Sequence, residues 1–315
     1  MSALNPRVAY IGGFGRSGST LIELALGSLR EACPLGEVVH LWERGLILNQ
    51  RCGCGAPFHS CEFWRAVGAT AFGGWERVDG AEVLALKAKV DRNRYLPRLM
   101  LTHPGRSFLH DVARYVRLYE RIYEAARQVS GGSLIVDSSK HASLAACLVR
   151  SPLLDLRIVH VVRNPLGVAY SWSKTKERPE VIGDSAFMPR YSTATSSLLW
   201  DAHNSMFEAL RRHAGTNLYR VRYEDFVDNP SGVLTAIARF VGASPLPEWT
   251  SPGASSMLTL ASNHTVAGNP MRFTTGEVTV CMDDVWRTGL APRARRTVQA
   301  LTLPLGRRYG YTSDH

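Results

Sequence analysis

Nothing in the 315 residues approaches the run of about 20 apolar residues that a membrane-spanning helix requires. Internal repeats, low-complexity tracts and linkers are absent, which argues against solenoids and disordered chains. There is no arginine-rich tail and no zinc-finger spacing, so a nucleic-acid partner is not expected. The first apolar strand starts by about residue 7, leaving no room for a signal peptide. The expectation is a cytoplasmic protein whose six cysteines (Cys33, Cys52, Cys54, Cys61, Cys147, Cys281) are reduced. Acidic residues are in deficit: 27 Asp and Glu face 37 Lys and Arg, a net charge of +10. That balance suggests an anionic partner without saying which. With 45% hydrophobic residues, the chain can bury the core of one large α/β domain or two smaller ones.

The most informative stretch follows Val8-Ala9-Tyr10-Ile11, a short apolar run. Gly13-Phe14-Gly15-Arg16-Ser17-Gly18-Ser19-Thr20 comes next, and then Leu21, Ile22, Leu24, Ala25 and Leu26 recur at helical spacing. Strand, glycine-rich turn and helix are the context of a phosphate-binding loop, because small residues let backbone N–H groups converge on oxyanions at a helix N-terminus. The pattern is G-x-x-x-x-G-Ser-Thr. A nucleotide triphosphatase carries Lys where Ser19 stands. Here the cation is Arg16, inside the loop, so the loop grips a phosphate but lacks the lysine that reaches a transferred phosphoryl group.

Gly15 to Leu21 (Gly-Arg-Ser-Gly-Ser-Thr-Leu) resembles the 5′-phosphosulfate loop of sulfotransferases that use 3′-phosphoadenosine 5′-phosphosulfate (PAPS). The resemblance implies that Gly15, Arg16, Ser17, Gly18, Ser19 and Thr20 bind the co-substrate. Further along, Pro34 to Val39 reads as an extended segment, and Glu37 lies 21 residues beyond Arg16. Tyrosylprotein sulfotransferases carry a Glu at the same offset, taken as the general base. A hydroxyl is a poor nucleophile until such a group takes its proton.

Leu134-Ile135-Val136-Asp137-Ser138-Ser139-Lys140 reads as a strand ending in polar residues, where α/β sheets place their ligands. Asp137 could stand for a Walker B acid. Asp-Ser-Ser-Lys also resembles bacterial sulfotransferases, which implies that Lys140 contacts the transferring group. His141 is the second choice of base, by its distance from Arg163 and its resemblance to cytosolic sulfotransferases. A second strand, Arg157 to Arg163, runs into Asn164-Pro165, an N-cap with proline at the first helical position. Arg163 and Ser171 resemble the 3′-phosphate site of the family. Gly268-Asn269-Pro270-Met271-Arg272 resembles its late loop, implying a phosphate contact for Arg272 and one near the 5′ side for Ser262. Glu224 and Asp225 read as capping or pairing groups.

Two regions carry less. Cys52, Cys54, His59 and Cys61 fall at C-x-C-x4-H-x-C, not a paired C-x2-C knuckle. A tight turn with buried thiols, a disulfide and a metal all remain open there, and no metal is expected. From about 65 to 130 the pattern is helical. Phe108, Val112, Tyr115, Tyr119, Ile122, Ala126 and Val129 form one apolar face, the tyrosines reading as core.

The expected architecture is a P-loop NTPase-like α/β fold in one domain: a parallel sheet flanked by helices, with an inserted helical subregion at about residues 50–130 serving as lid or acceptor wall. The expected activity is sulfuryl transfer from PAPS to a hydroxylated acceptor (small molecule, carbohydrate or lipid), releasing PAP. Catalysis falls to Glu37, Arg16 and Lys140. A P-loop kinase and a non-catalytic nucleotide-binding module are the rivals.

Overall fold

The computed structural model describes residues 5–181, 187–213, 215–250 and 257–311. Five strands form a parallel sheet: β1 (Arg7–Gly12), β2 (Ala32–Gly36), β3 (Leu134–Lys140), β4 (Asp155–Val162) and β5 (Leu218–Arg222), in the order β2-β3-β1-β4-β5. β1 is central, hydrogen-bonded to β3 and β4. Both faces of such a strand are covered, so its sequence is an unbroken apolar run and not an alternating one. The period of two still decides which core each residue enters. Val8 and Tyr10 face one core, Ala9 and Ile11 the other.

Helix α1 (Ser19–Leu26) covers the second face. The first face carries α2 (Glu62–Phe72), α3 (Gly80–Val90), the long α4 (Arg106–Ser130) and α5 (Ala142–Leu148). Helices α6 (Pro165–Ser173) and α7 (Thr193–Arg211) follow β4, and α8 (Tyr223–Asp228), α9 (Pro230–Phe240) and α10 (Pro292–Arg308) complete the chain. The α4 stripe is as the spacing predicts: Phe108, Val112, Tyr115, Tyr119, Ile122 and Ala126 are all buried. Its tyrosines are core residues with satisfied hydroxyls, since Tyr115 donates to Asp91 at 2.9 Å and Tyr123 to Asp137 at 2.5 Å. Among the described residues, no helix is long and apolar enough to cross a membrane.

Three local findings depart from the sequence reading. The extended segment ends at Gly36, where φ is 82° and a side chain would strike the backbone nitrogen of Val266 at 2.8 Å. The chain then turns helical from Val38. The run Leu218 to Asp225 alternates as a strand would, but the strand stops at Arg222. Glu224 lies in the first turn of the helix that follows, accepting from the Asn164 backbone N–H at 2.9 Å and the Tyr311 hydroxyl at 2.6 Å. The late polar loop sits inside a two-stranded antiparallel hairpin, Met257–Leu260 with Gly276–Thr279, and its middle is buried.

Candidate active site

The carboxyl ends of β2, β3, β1 and β4 open into one cleft of about 680 Å³. Ten of the residues singled out from the sequence line it: Gly15, Arg16, Gly18, Ser19, Thr20, Glu37, Lys140, His141, Arg163 and Ser171.

The loop between β1 and α1 is held from outside. Trp172 donates its indole N–H to the Gly15 carbonyl at 3.2 Å and lies under the Arg16 guanidinium, 5.1 Å from the ring centre. Gly18 precedes α1 at φ 88°, and a Cβ there would meet the Tyr223 ring at 2.4 Å, so only glycine lets α1 start that close. Arg16 itself stands at φ 71°. Left-handed backbone costs a non-glycine residue about 1–2 kcal/mol, and it turns this side chain into the cleft. Burial pulls the guanidinium below its ordinary range, with Glu37 opposing. Arg16 Nε and Nη2 and Ser17 Oγ are buried with no hydrogen-bond partner among the described residues. Buried donors of this kind call for a hydrogen-bonding partner, and cationic ones for an anion.

Lys140 repeats the device at the next strand. β3 slips register against β1 between Tyr10 and Gly12, and Lys140 takes φ 69°. Its ammonium donates to Glu37 Oε1 and, at 3.3 Å, to the Ser138 carbonyl. Glu37 Oε2 faces His40 Nε2 at 3.5 Å. Burial alone would raise the Glu37 pKa, but Lys140, His40 and Arg44 outweigh it and hold the carboxyl at about 2. His40 and His141, with ring centres 5.9 Å apart, are both pushed down by burial and are neutral at pH 7. Two candidate bases thus share one wall of the cleft.

Asp137 is not available for a metal. It is fully buried, accepting from Tyr123, from the Ser139 hydroxyl at 2.5 Å and from the Ser139 N–H at 2.7 Å. The feature that most favoured a kinase is a structural knot between α4 and β3.

At the end of β4, Arg163 is 7% exposed and donates to the Arg16 carbonyl at 3.1 Å, so the two arginine-bearing turns touch. Asn164 caps α6 by accepting from the Leu166 N–H at 2.9 Å, and Ser171 lies on that helix, lining the same cleft. The other Arg163 nitrogen donates to Asp283, to the carbonyl at 3.2 Å and the carboxylate at 3.0 Å.

Two expectations fail. Arg272 is 1% exposed and does not line the cleft. Its guanidinium donates to the carbonyls of Thr265 at 2.5 Å and Arg51 at 2.6 Å, joining two loops. Ser262 is exposed on a different depression, beside Pro34 and Val129. The sequence placed both by a motif. The fold instead buries the loop around Asn263, whose side chain bonds Arg272 O at 2.9 Å and Thr265 N at 3.1 Å. Nor does any residue between 45 and 130 line the cleft. Its outer wall includes Trp172, Lys174, Lys176, Met188, Pro189, Tyr191, Leu199 and His203. Missed residues include His40, Arg44, Lys176 and Asp283. His40 alone carried a local signal, standing one helical turn after Glu37.

The profile of the sulfotransferase family matches residues 9–248, three quarters of the chain. The chain belongs to that family. No curated protein matches the sequence. Among solved structures, the sulfotransferase domain from the Synechococcus PCC 7002 olefin synthase is similar in fold, with TM-score 0.51 and 20% identity over 99% of this chain and 98% of that one. The sulfotransferase domain from the curacin biosynthetic pathway gives TM-score 0.52 and 16% identity, over 97% and 99%. At such identities the likeness is one of fold, and the sulfotransferase architecture expected from the loops is the one the chain has.

Proposed function

We propose that this sulfotransferase moves the sulfuryl group of PAPS in line to an acceptor hydroxyl (of a small molecule, carbohydrate or lipid), releasing PAP. One observation carries the reading: two cationic stations lie side by side in one cleft, Arg16 with its loop at the end of β1 and Arg163 with Ser171 at the end of β4. A nucleotide phosphorylated at both its 3′ and 5′ positions needs two such stations, whereas ATP needs one. The buried, unpartnered donors of Arg16 and Ser17 fit the 5′ group. Gly15, Gly18, Ser19 and Thr20 offer further donors there, and Arg163 and Ser171 suit the 3′-phosphate.

Bound PAPS would supply a sulfuryl group, which carries less charge than a phosphoryl group and needs no magnesium, in keeping with Ser19 in place of the P-loop lysine. Glu37 takes the proton of the acceptor hydroxyl. Lys140 begins paired with Glu37 and turns toward the charge that develops on the departing side. Losing that partner makes Glu37 a stronger base as the proton must leave. Arg16 and the loop N–H groups complete the stabilisation. The acceptor meets the outer wall that includes Trp172, Lys176, Met188 and Tyr191, not the helices of 58–130, and those helices and the sheet make a single domain. The enzyme works in the cytoplasm.

PAP should bind far more tightly than 5′-AMP. Losing a charged contact costs about 1.5–3 kcal/mol, roughly tenfold to a hundredfold. Equal affinities in calorimetry would sink the 3′-phosphate assignment of Arg163 and Ser171.

A further inference from the structure

Outside the cleft, three cysteines of one short segment converge with a histidine about 200 residues later. The sulfurs of Cys52, Cys54 and Cys61 and Nδ1 of His264 all lie within 4.8 Å of one another. Cys61 Sγ is 3.6 Å from Cys52 Sγ and 3.8 Å from Cys54 Sγ. His264 Nδ1 is 3.3 Å from Cys61 Sγ and 3.9 Å from Cys52 Sγ. Around a tetrahedral ion with bonds of about 2.3 Å to sulfur and about 2.0 Å to nitrogen, sulfurs stand about 3.8 Å apart and sulfur and nitrogen about 3.5 Å. The four edges bracket those values. A disulfide would bring two sulfurs to about 2.05 Å.

The backbone is built to hold this spacing. A tight turn, in which Cys52 N–H donates to Ala56 O at 2.8 Å and Gly55 N–H to Cys52 O at 2.8 Å, folds Cys54 back beside Cys52. Cys61 sits at the entry of α2. The His264 ring is stacked on Phe63 at 4.9 Å, and its carbonyl accepts from the Trp64 indole at 2.7 Å, which fixes the imidazole edge toward the sulfurs. His59, the histidine nearest in sequence, turns away to the Leu46 carbonyl at 2.9 Å.

We infer that Cys52, Cys54, Cys61 and His264 form a structural zinc site. Three sulfurs and one imidazole are a donor set that selects zinc, and four protein ligands leave no open position for catalysis. Binding releases three thiol protons and leaves a cluster of net charge −1. Buried Arg272 donates to the carbonyls of Arg51 and Thr265, which stand next in sequence to Cys52 and His264, and supplies the nearby positive charge. The ion ties the 52–61 turn to the 264–268 segment. That segment continues onto β2, where Val266 N–H donates to Leu35 O at 2.8 Å and Glu37 N–H to Ala267 O at 3.4 Å. Zinc thereby anchors the backbone behind Glu37 from outside the cleft.

The test is metal content and affinity, independent of turnover. Full-length protein is reduced, titrated with zinc against a chromophoric chelator and analysed by elemental mass spectrometry. One zinc per chain at nanomolar or tighter affinity is expected, and cobalt in its place should show thiolate charge-transfer and tetrahedral bands. Cys54→Ser changes an exposed ligand and should weaken zinc at least tenfold while circular dichroism stays native. His264→Ala should do the same, and Cys281→Ser, an exposed cysteine outside the cluster, should change nothing. Zinc weaker than micromolar in the wild type, affinity unchanged in both ligand variants, or a Cys52–Cys61 disulfide in the intact mass of the native protein overturns the proposal.

Discussion

Glu37→Gln is the substitution on which the proposed chemistry turns. In the free protein the carboxylate is held at about 2 against an ordinary 4.5, with Lys140 as the leading opponent of burial. A difference of that size amounts to about 3 kcal/mol in favour of the charged form. Glutamine keeps the shape and can still accept from Lys140, but has no basic lone pair to take a proton. The nucleotide stations at Arg16 and Arg163 are untouched, so PAP affinity should stay within a few-fold of wild type in calorimetry. The turnover number should fall about 10²–10⁴-fold, the worth of a positioned base. His141→Ala is the internal control, because that imidazole lies in the same cleft and is neutral at pH 7. The pH profile adds a second reading. A base at about 2 is already ionised across the working range, so kcat/KM of the wild type should show no acid limb between about pH 5 and 8. If Glu37→Gln turns over normally while His141→Ala abolishes turnover without weakening PAP, the base is His141.

Asp283 competes for Arg163 from an exposed position, its side chain 46% accessible. Asp283→Asn should raise PAP affinity up to about fivefold, the range of an exposed ion pair; weaker binding by calorimetry would mean that Asp283 helps to build the site. Glu23 lies buried on α1, bonded to Gly36 N–H at 2.7 Å and the Ser138 hydroxyl at 2.5 Å, and burial raises its pKa to about 8. A raised carboxyl binds its proton more tightly in the folded state, so its contribution is complete below about pH 4.5 and is lost as pH rises through about 8. Denaturant titrations should show stability falling by a few kcal/mol across that window, less steeply in Glu23→Gln. An equal slope in the variant would place the titration elsewhere.

The loop edge of the cleft was legible because it is local in the chain. Strand, turn and first helical residues are contiguous from Val8 to Leu26, and the side chains of a strand's last residues point where the strand ends. Lys140 and Arg163 were readable on that ground. What failed depends on distant packing. Arg272 looks like a phosphate ligand beside Gly268-Asn269-Pro270, yet its partners are carbonyls at Arg51 and Thr265, the first of them 221 residues away. The same holds for His264, which reaches cysteines more than 200 positions earlier, while the histidine inside the cysteine segment points elsewhere. Periodicity assigned α4 to the core correctly but could not say that the core lies away from the cleft. The wider helical region therefore read as an acceptor wall, although no residue between 45 and 130 lines the cleft.

The most direct test of the central claim follows a label. The protein is incubated, with and without magnesium, with PAPS carrying radioactive sulfur or with ATP labelled at its terminal phosphate, each against a panel of hydroxylated sugars, phenols and lipids. Sulfur label should appear on at least one acceptor with release of PAP, and phosphorus label on none. Phosphorus transferred in a magnesium-dependent way, with no sulfur moved to any hydroxyl, would contradict the account.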